Sequence, residues 1–212
     1  MNIYRPIIGE TIKKENLQEL IEQYQQTGTV IENIEFNKLE DSEINAEEIE
    51  FEKYIFRNCK ISGNFEKSVF HDIVFENCDF SNSIFREGSF IRVEIKNSKF
   101  IGCDFTDSRI YHFTSKESIF NYANFSNTNL EQMIFEQCDL SNSSFDECKI
   151  KHIYFEYSKL IQTQFFKTKL KQIDFSTCEL AGIVVDVNDL KGAIVNNFQA
   201  IELSKLLGII IK

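Results

Sequence analysis

The chain has 212 residues with 33 Asp or Glu against 23 Lys or Arg, a formal net charge of −10. An acid excess of that size sets the surface as a whole against nucleic acid and anionic membrane and favours a basic partner. No stretch approaches the ~20 apolar residues of a membrane span. The first ten residues carry no signal-peptide run, and six Cys with no Cys-x-x-Cys pair point to free thiols in the cytoplasm rather than to a disulfide or zinc site.

Residues 1–30 are predicted to form an N-terminal cap. Asn16 and Glu19 have capping-box spacing, Leu17, Leu20, Ile21 and Tyr24 make a helical stripe, and Gly28 is a natural stop. The spacing predicts a short helix within 12–26. Residues 31–64 carry two weaker five-residue series, Ile34, Leu39, Ile44, Ile49 and then Phe51, Phe56, Ile61, both out of phase with the series that begins at Phe65. A register slip is therefore expected between Ile61 and Phe65. These irregular first coils are strongly acidic, with nine carboxylates against Lys38 alone from Glu32 to Glu52.

Between Phe65 and Leu190 every fifth residue is apolar, 25 of 26 steps, with Ser115 the exception; 15 of the 21 Phe fall on this beat. A helix advances about 500° in five residues, so the apolar positions would spiral around it without forming a stripe. In a straight strand an odd step alternates faces. The spacing works if the chain turns a corner once per repeat and aims each apolar residue at a common axis, as in a solenoid. The residue two before each centre is usually small, and six of the seven large exceptions, Ile73, Val93, Phe113, Met133, Ile153 and Ile173, recur every 20 residues. Four repeats therefore make one coil, and the shaft over residues 65–192 is four-sided and about 30 Å long at ~4.8 Å per coil. Ser115 follows the large Phe113 by two positions, which suits a volume-conserving exchange, with a local bulge or short loop as the alternative. All six Cys sit two before a centre, where Cys replaces Ser, Ala or Thr as a small buried residue.

Runs such as Cys78-Asp79-Phe80-Ser81-Asn82, Ala123-Asn124-Phe125-Ser126-Asn127 and Cys138-Asp139-Leu140-Ser141-Asn142 resemble the pentapeptide-repeat family. The resemblance implies an all-β fold, a right-handed quadrilateral parallel β-helix, here with a short N-terminal helical cap and a C-terminal helix plus short strand. Its interior is expected to be filled by the chain's own Phe and Leu, leaving recognition to the outer walls.

Those walls differ in charge. One carries Glu76, Glu94, Glu117, Glu136, Glu156 and Asp174 against Lys96 and Lys116, net −4, and is the candidate partner-binding face. A second wall is also net −4. A third carries Arg92, Arg109, Lys149, Lys151, Lys169, Lys171 and Lys191 against Asp72, Glu131 and Asp189, net +4. The three His, His71, His112 and His152, fall on this basic wall, with no metal-site spacing, and the surface carboxylates have no cleft to shift them towards acid–base work. No enzyme activity, metal or cofactor is expected. Tyr111, Tyr122, Tyr154, Tyr157 and Phe166 are exposed candidate contacts.

Residues 193–212 leave the beat. Asn196 and Gln199 again have capping-box spacing, a helix is predicted over 198–207, and Gly208 precedes Ile209-Ile210-Ile211, a short apolar strand. Ile201, Leu203, Leu206, Leu207, Ile209, Ile210 and Ile211 form the predicted interface of a homodimer joined through its C-termini. Gln199-Ala200-Ile201, Leu203 and Leu207-Gly208-Ile209-Ile210-Ile211 resemble the ending of the Qnr-type quinolone-resistance branch. That resemblance implies a rod that mimics DNA, binds DNA gyrase and topoisomerase IV and protects them from quinolones. Immunity against a gyrase-directed peptide toxin and a non-enzymatic scaffold with another partner stand as alternatives. Several members of the branch carry projecting loops needed for protection; the unbroken beat predicts none here, as in some Gram-positive members.

Overall fold

A computed structural model describes residues 2–210. Its eight-stranded parallel sheet has the order β1 (Ile12–Lys14), β2 (Glu32–Asn37), β4 (Glu50–Arg57), β6 (Val69–Glu76), β7 (Ser89–Lys96), β8 (Arg109–Lys116), β9 (Asn129–Glu136) and β10 (Lys149–Glu156). From β6 onward each strand pairs with the one 20 residues ahead, as in Phe70 with Phe90 and Ile110 with Leu130. A two-stranded sheet of β3 (Glu40–Asn45) and β5 (Lys60–Asn64) lies elsewhere on the coils. Single parallel bridges, Ile84 to Asp104, Asp104 to Asn124 and onward, tie the remaining walls at the same interval. The chain is a four-sided parallel β-helix, with no loop inserted along the regular coils.

The corner is made by one residue in five. Asn77 (φ 56°), Asn82 (φ 62°), Glu87 (φ 55°), Arg92 (φ 53°) and Asn97 (φ 47°) all take the left-handed backbone, and the series continues along the shaft. Each such turn costs an L-residue about 1–2 kcal/mol, less for Asn, Asp and Gly, which explains their abundance two residues after a centre. The eight-residue strands pass through one of these corners, so two adjacent walls belong to one bent ladder.

Inside, Phe65, Phe85, Phe105, Phe125, Phe145 and Phe165 stack with centroids 5.2, 5.0, 4.8, 4.7 and 5.3 Å apart and planes within 16° of parallel. Beside this stack the small residues hydrogen-bond to the coil before. Ser108, Thr128, Cys148 and Thr168 donate side-chain hydrogens to the carbonyls of Phe85, Phe105, Phe125 and Phe145 at 2.9, 2.9, 2.9 and 2.6 Å. Cys here is thus more than a small apolar filler: its thiol satisfies a buried carbonyl as a hydroxyl would. All six cysteines are free and buried, and burial pushes the Cys103 and Cys148 thiols up to about 12, far from reactive. Ser115 is buried in register between Ile95 and Phe135, and Phe113 fills the core beside it. The break in the beat is a packing exchange.

Residues 31–61 hold one register, not two. Left-handed corners fall at Asn33, Lys38, Glu43, Glu48, Lys53 and Asn58 without a slip, so Ile34, Leu39, Ile44 and Ile49 occupy the position two before each centre. Ile44 beside Ala46 repeats the Phe113–Ser115 exchange. The slip occurs where expected, after Ile61: β3 and β5 change from Asp41–Ile61 to Ile44–Gly63 pairing, and β4 meets β6 at an offset of 19. The shortened coil closes onto the one below, and a Cβ on Gly63 would meet the Ile44 carbonyl oxygen at 2.2 Å. The carbonyl is backbone and a Cβ is fixed rigidly to its own backbone, so neither atom can swing aside. Gly63→Ala is expected to destabilise by about 2–3 kcal/mol, at the upper end of overpacking effects, while Gly9→Ala, whose nearest neighbour would be a side-chain oxygen at 3.5 Å, stays near wild type in a urea titration.

Helix α1 (Leu17–Thr27) caps one end. Asn16 accepts from the Glu19 amide, Gly28 closes it in the left-handed conformation, and Leu17, Leu20 and Ile21 are buried. Residues 12–14, expected within that helix, instead form β1, because the open edge of β2 offers unpaired backbone groups that a strand can satisfy. At the other end Asn196 and Gln199 form a reciprocal capping box on α2 (Asn197–Ser204), and one 3-10 turn (Lys205–Leu207) leads to a left-handed Gly208. Ile209 and Ile210 are not in a strand, since a strand needs a partner and a single chain supplies none there; Ile211 lies outside the described residues.

Candidate functional site

The predicted acidic wall follows the second half of the bent ladder, and the parallel stacking that builds it also sets charges in columns. Arg57, Glu76, Lys96, Lys116, Glu136 and Glu156 lie in register on successive strands. Within and beside this column Arg57 pairs with Glu76 at 3.0 Å, Lys96 with Glu94 at 2.7 Å and Lys116 with Glu136 at 2.6 Å. Such surface pairs add little stability, about 0–1 kcal/mol each, but they cancel charge locally. Of the six predicted contact residues, Glu117, Glu156 and Asp174 are exposed and have no ion pair among the described residues. Hydrogen bonds from Ser176 hold the Asp174 carboxyl below its ordinary value, so it stays charged.

The basic wall is not an open face along its whole length. Residues 2–11 run outside it as an extended strap, parallel to the shaft axis and across successive coils. The Gly9 amide donates to Asn33 Oδ1 at 3.2 Å, the Ile7 amide to Asp72 Oδ1 at 2.9 Å and the Tyr4 amide to His112 Nδ1 at 3.2 Å, while Arg5 pairs with Glu94 at 2.8 Å. Asn33, Asp72 and His112 are left-handed mid-strand residues of one column. Under the strap Asp72 is 1 % exposed and receives both Nε and Nη2 of Arg92 at 2.6 Å. Burial alone would raise the Asp72 carboxyl, but the Arg92 guanidinium and the Ile7 amide outweigh it and hold it below the ordinary carboxylate value. His112 is 2 % exposed, and burial, reinforced by the nearby Arg92 charge, lowers its affinity for a proton. Nδ1 is therefore an acceptor, as the Tyr4 bond requires.

Arg92 is thus spent on an internal pair, and the exposed basic residues lie further along, where Lys149, Lys171 and Lys191 have no ion pair among the described residues. Lys151 pairs with Glu131 and Lys169 with Asp189. At the C-terminal end Ile201, Leu206, Leu207, Ile209 and Ile210 are exposed, together with Phe198 at 82 %. Leu203, predicted with them, packs against the shaft instead.

A model of the pentapeptide repeat region matches residues 89–165 and 129–204, and a model of eight pentapeptide copies matches residues 64–109. This chain belongs to the pentapeptide-repeat family. It is similar to the quinolone resistance pentapeptide repeat protein QnrB96 of Scandinavium goeteborgense, 28 % identical over 121 residues, which cover 56 % of each chain. The chain thus spans about half the length of the curated relative it matches. Among solved structures, trypsin-treated QnrB1, a plasmid-mediated fluoroquinolone resistance protein, aligns over 98 % of this chain and 99 % of its own at 21 % identity and a TM-score of 0.42. HetL, involved in heterocyst differentiation regulation in the cyanobacterium Nostoc, aligns over 87 % and 98 % at 12 % identity and a TM-score of 0.30.

In this pentapeptide-repeat protein periodicity does not reveal the strap, because residues 2–11 have no repeat of their own. Pro6, which cannot donate a backbone hydrogen bond, is the one local sign of an extended segment there. Phe198 likewise fell outside the apolar spacing that singled out the other C-terminal residues. The exposed aromatics Tyr111, Tyr122, Tyr154, Tyr157 and Phe166 are confirmed at the surface, the first and third of them flanking the column that the strap follows.

Proposed function

We propose that this protein binds a type II topoisomerase, DNA gyrase or topoisomerase IV, as a DNA-mimicking rod, and that the bound rod protects the enzyme from quinolones. The observation that carries the reading is a shaft packed solid with stacked Phe, so that recognition falls to flat outer walls, in a chain related over 121 residues to a quinolone resistance protein. Glu117, Glu156 and Asp174 supply unneutralised carboxylates, sparser than the one charge per ~1.7 Å of duplex DNA, so association is electrostatic and weakens with salt. The exposed apolar end around Phe198, Leu207 and Ile210 supports a homodimer, which would double the rod's length through a self-complementary contact.

Gyrase supercoiling is expected to respond to the protein in a dose-dependent way at low salt. The triple reversal Glu117→Lys, Glu156→Lys, Asp174→Lys should shift the dose by at least tenfold, a loss of about 1.4 kcal/mol or more. Absence of any response over a wide titration overturns the topoisomerase reading. Sedimentation reports the assembly separately: a dimer that Leu207→Glu with Ile210→Glu converts to monomer is expected, and a wild-type monomer removes the joined rod.

A further inference from the structure

The column that holds the strap does not end with it. Beyond His112 the same column position is taken by Gln132 and His152, in strands, and by Gln172, in a turn, with the same left-handed backbone (φ 57°, 61° and 67°). His112, under the strap, is buried; His152, two coils on, is exposed. Asn2, Gln132, His152 and Tyr154 line an open cavity of about 370 Å³ at this point, and the buried Gln132 Oε1 has no hydrogen-bond partner among the described residues.

The strap shows what such a track accepts. Tyr4 and Ile7 are three residues apart, ~10 Å in an extended chain, and Asp72 and His112 are two coils apart, ~9.6 Å, so over this step main-chain amides three residues apart meet acceptors two coils apart. Gln132 and Gln172 repeat that interval. One flank of the open track carries Lys149, Lys151, Lys169 and Lys171; the other carries Tyr154 and Asp174. We propose that this open track docks an extended acidic peptide from a partner protein. Its backbone amides donate to the Gln132 and Gln172 side chains, two coils apart, with His152 lining the track between them, and its carboxylates face the Lys flank, which the chain's own acids only partly neutralise. The track borders the acidic wall assigned to the topoisomerase at Asp174, but Lys149, Lys171 and His152 lie outside that wall, so either assignment can fail without the other.

The test is fluorescence polarisation at low salt with two labelled octapeptides, one alternating Glu and Val and one alternating Lys and Val. Saturable binding of the Glu peptide is expected, lost at 0.3 M salt and weakened at least tenfold by Lys149→Glu with Lys171→Glu and by His152→Ala. Neither variant removes an ion pair or a buried side chain, and an unchanged melting temperature verifies the fold. Hydrogen exchange should show peptide-dependent protection over residues 149–156 and none around Glu117. No saturation at millimolar protein, equal binding of the Lys peptide, or insensitivity to both variants overturns the proposal. So does self-association of the protein through residues 149–156, which would make a second copy the occupant.

Discussion

Phe105→Ala is expected to destabilise the shaft by about 3–5 kcal/mol, the range for a buried aromatic truncated in a close-packed core. Phe105 is 1 % exposed and lies between Phe85 and Phe125, 5.0 and 4.8 Å away in nearly parallel planes, with the edge of Phe90 at 5.5 Å. Both neighbouring coils lose a stacking partner, and in a solenoid each coil's stability rests largely on its neighbours. The rings above and below are held by their own strands and cannot collapse into the gap. Urea unfolding followed by circular dichroism measures the loss, with Phe166→Ala as the control: Phe166 is 49 % exposed and its removal should change stability by less than about 0.5 kcal/mol. A Phe105 variant within that same margin would mean that the stacked interior is not what holds the coils together.

The second large effect concerns the strap. Asp72→Asn keeps the shape of the side chain but removes the charge opposing Arg92, and leaves a partly buried guanidinium without its counter-ion. Breaking a fully buried pair costs about 3–5 kcal/mol; with the Arg92 side chain 25 % exposed, about 2–3 kcal/mol is expected. The Ile7 amide loses its charged acceptor in the same step, so hydrogen exchange at Ile7 and Tyr4 should accelerate more than at amides of β9. An unchanged exchange rate at Ile7 would show that the strap is held by other contacts.

The same column sets an order of events on acidification. The native His112 resists protonation relative to the unfolded chain, so the stability linked to it is present above the ordinary His value of ~6.5 and declines as pH falls below it. The native Asp72 carboxyl is depressed, so its contribution is present above the ordinary Asp value of ~3.9 and is lost as pH falls through the lower native value. The contact at Tyr4 therefore loosens first and the one at Ile7 only in stronger acid.

The sequence by itself determined the coil. A five-residue stride in Phe and Leu, with small residues two before, has one economical solution in three dimensions, because each class answers a local demand: volume at the axis and a donor to the coil below. The period of 20 came from the large residues at Ile73, Val93, Phe113 and Met133, and the slip near Gly63 from a single missing residue. Only the tertiary structure decided what the walls present. Periodicity sorts residues by face but does not say which carboxylate lies within reach of a cation one coil away, so Glu76 and Glu136 pass for free acids until stacking places Arg57 and Lys116 beside them, and Glu94 until the strap brings Arg5 to it. Nor could it seat the strap, whose contacts join Tyr4 to His112 and Ile7 to Asp72 across more than 60 residues of sequence. A repeat is a local property of the chain; charge pairing and the docking of a non-repeating segment depend on distances that exist only once the coils are stacked.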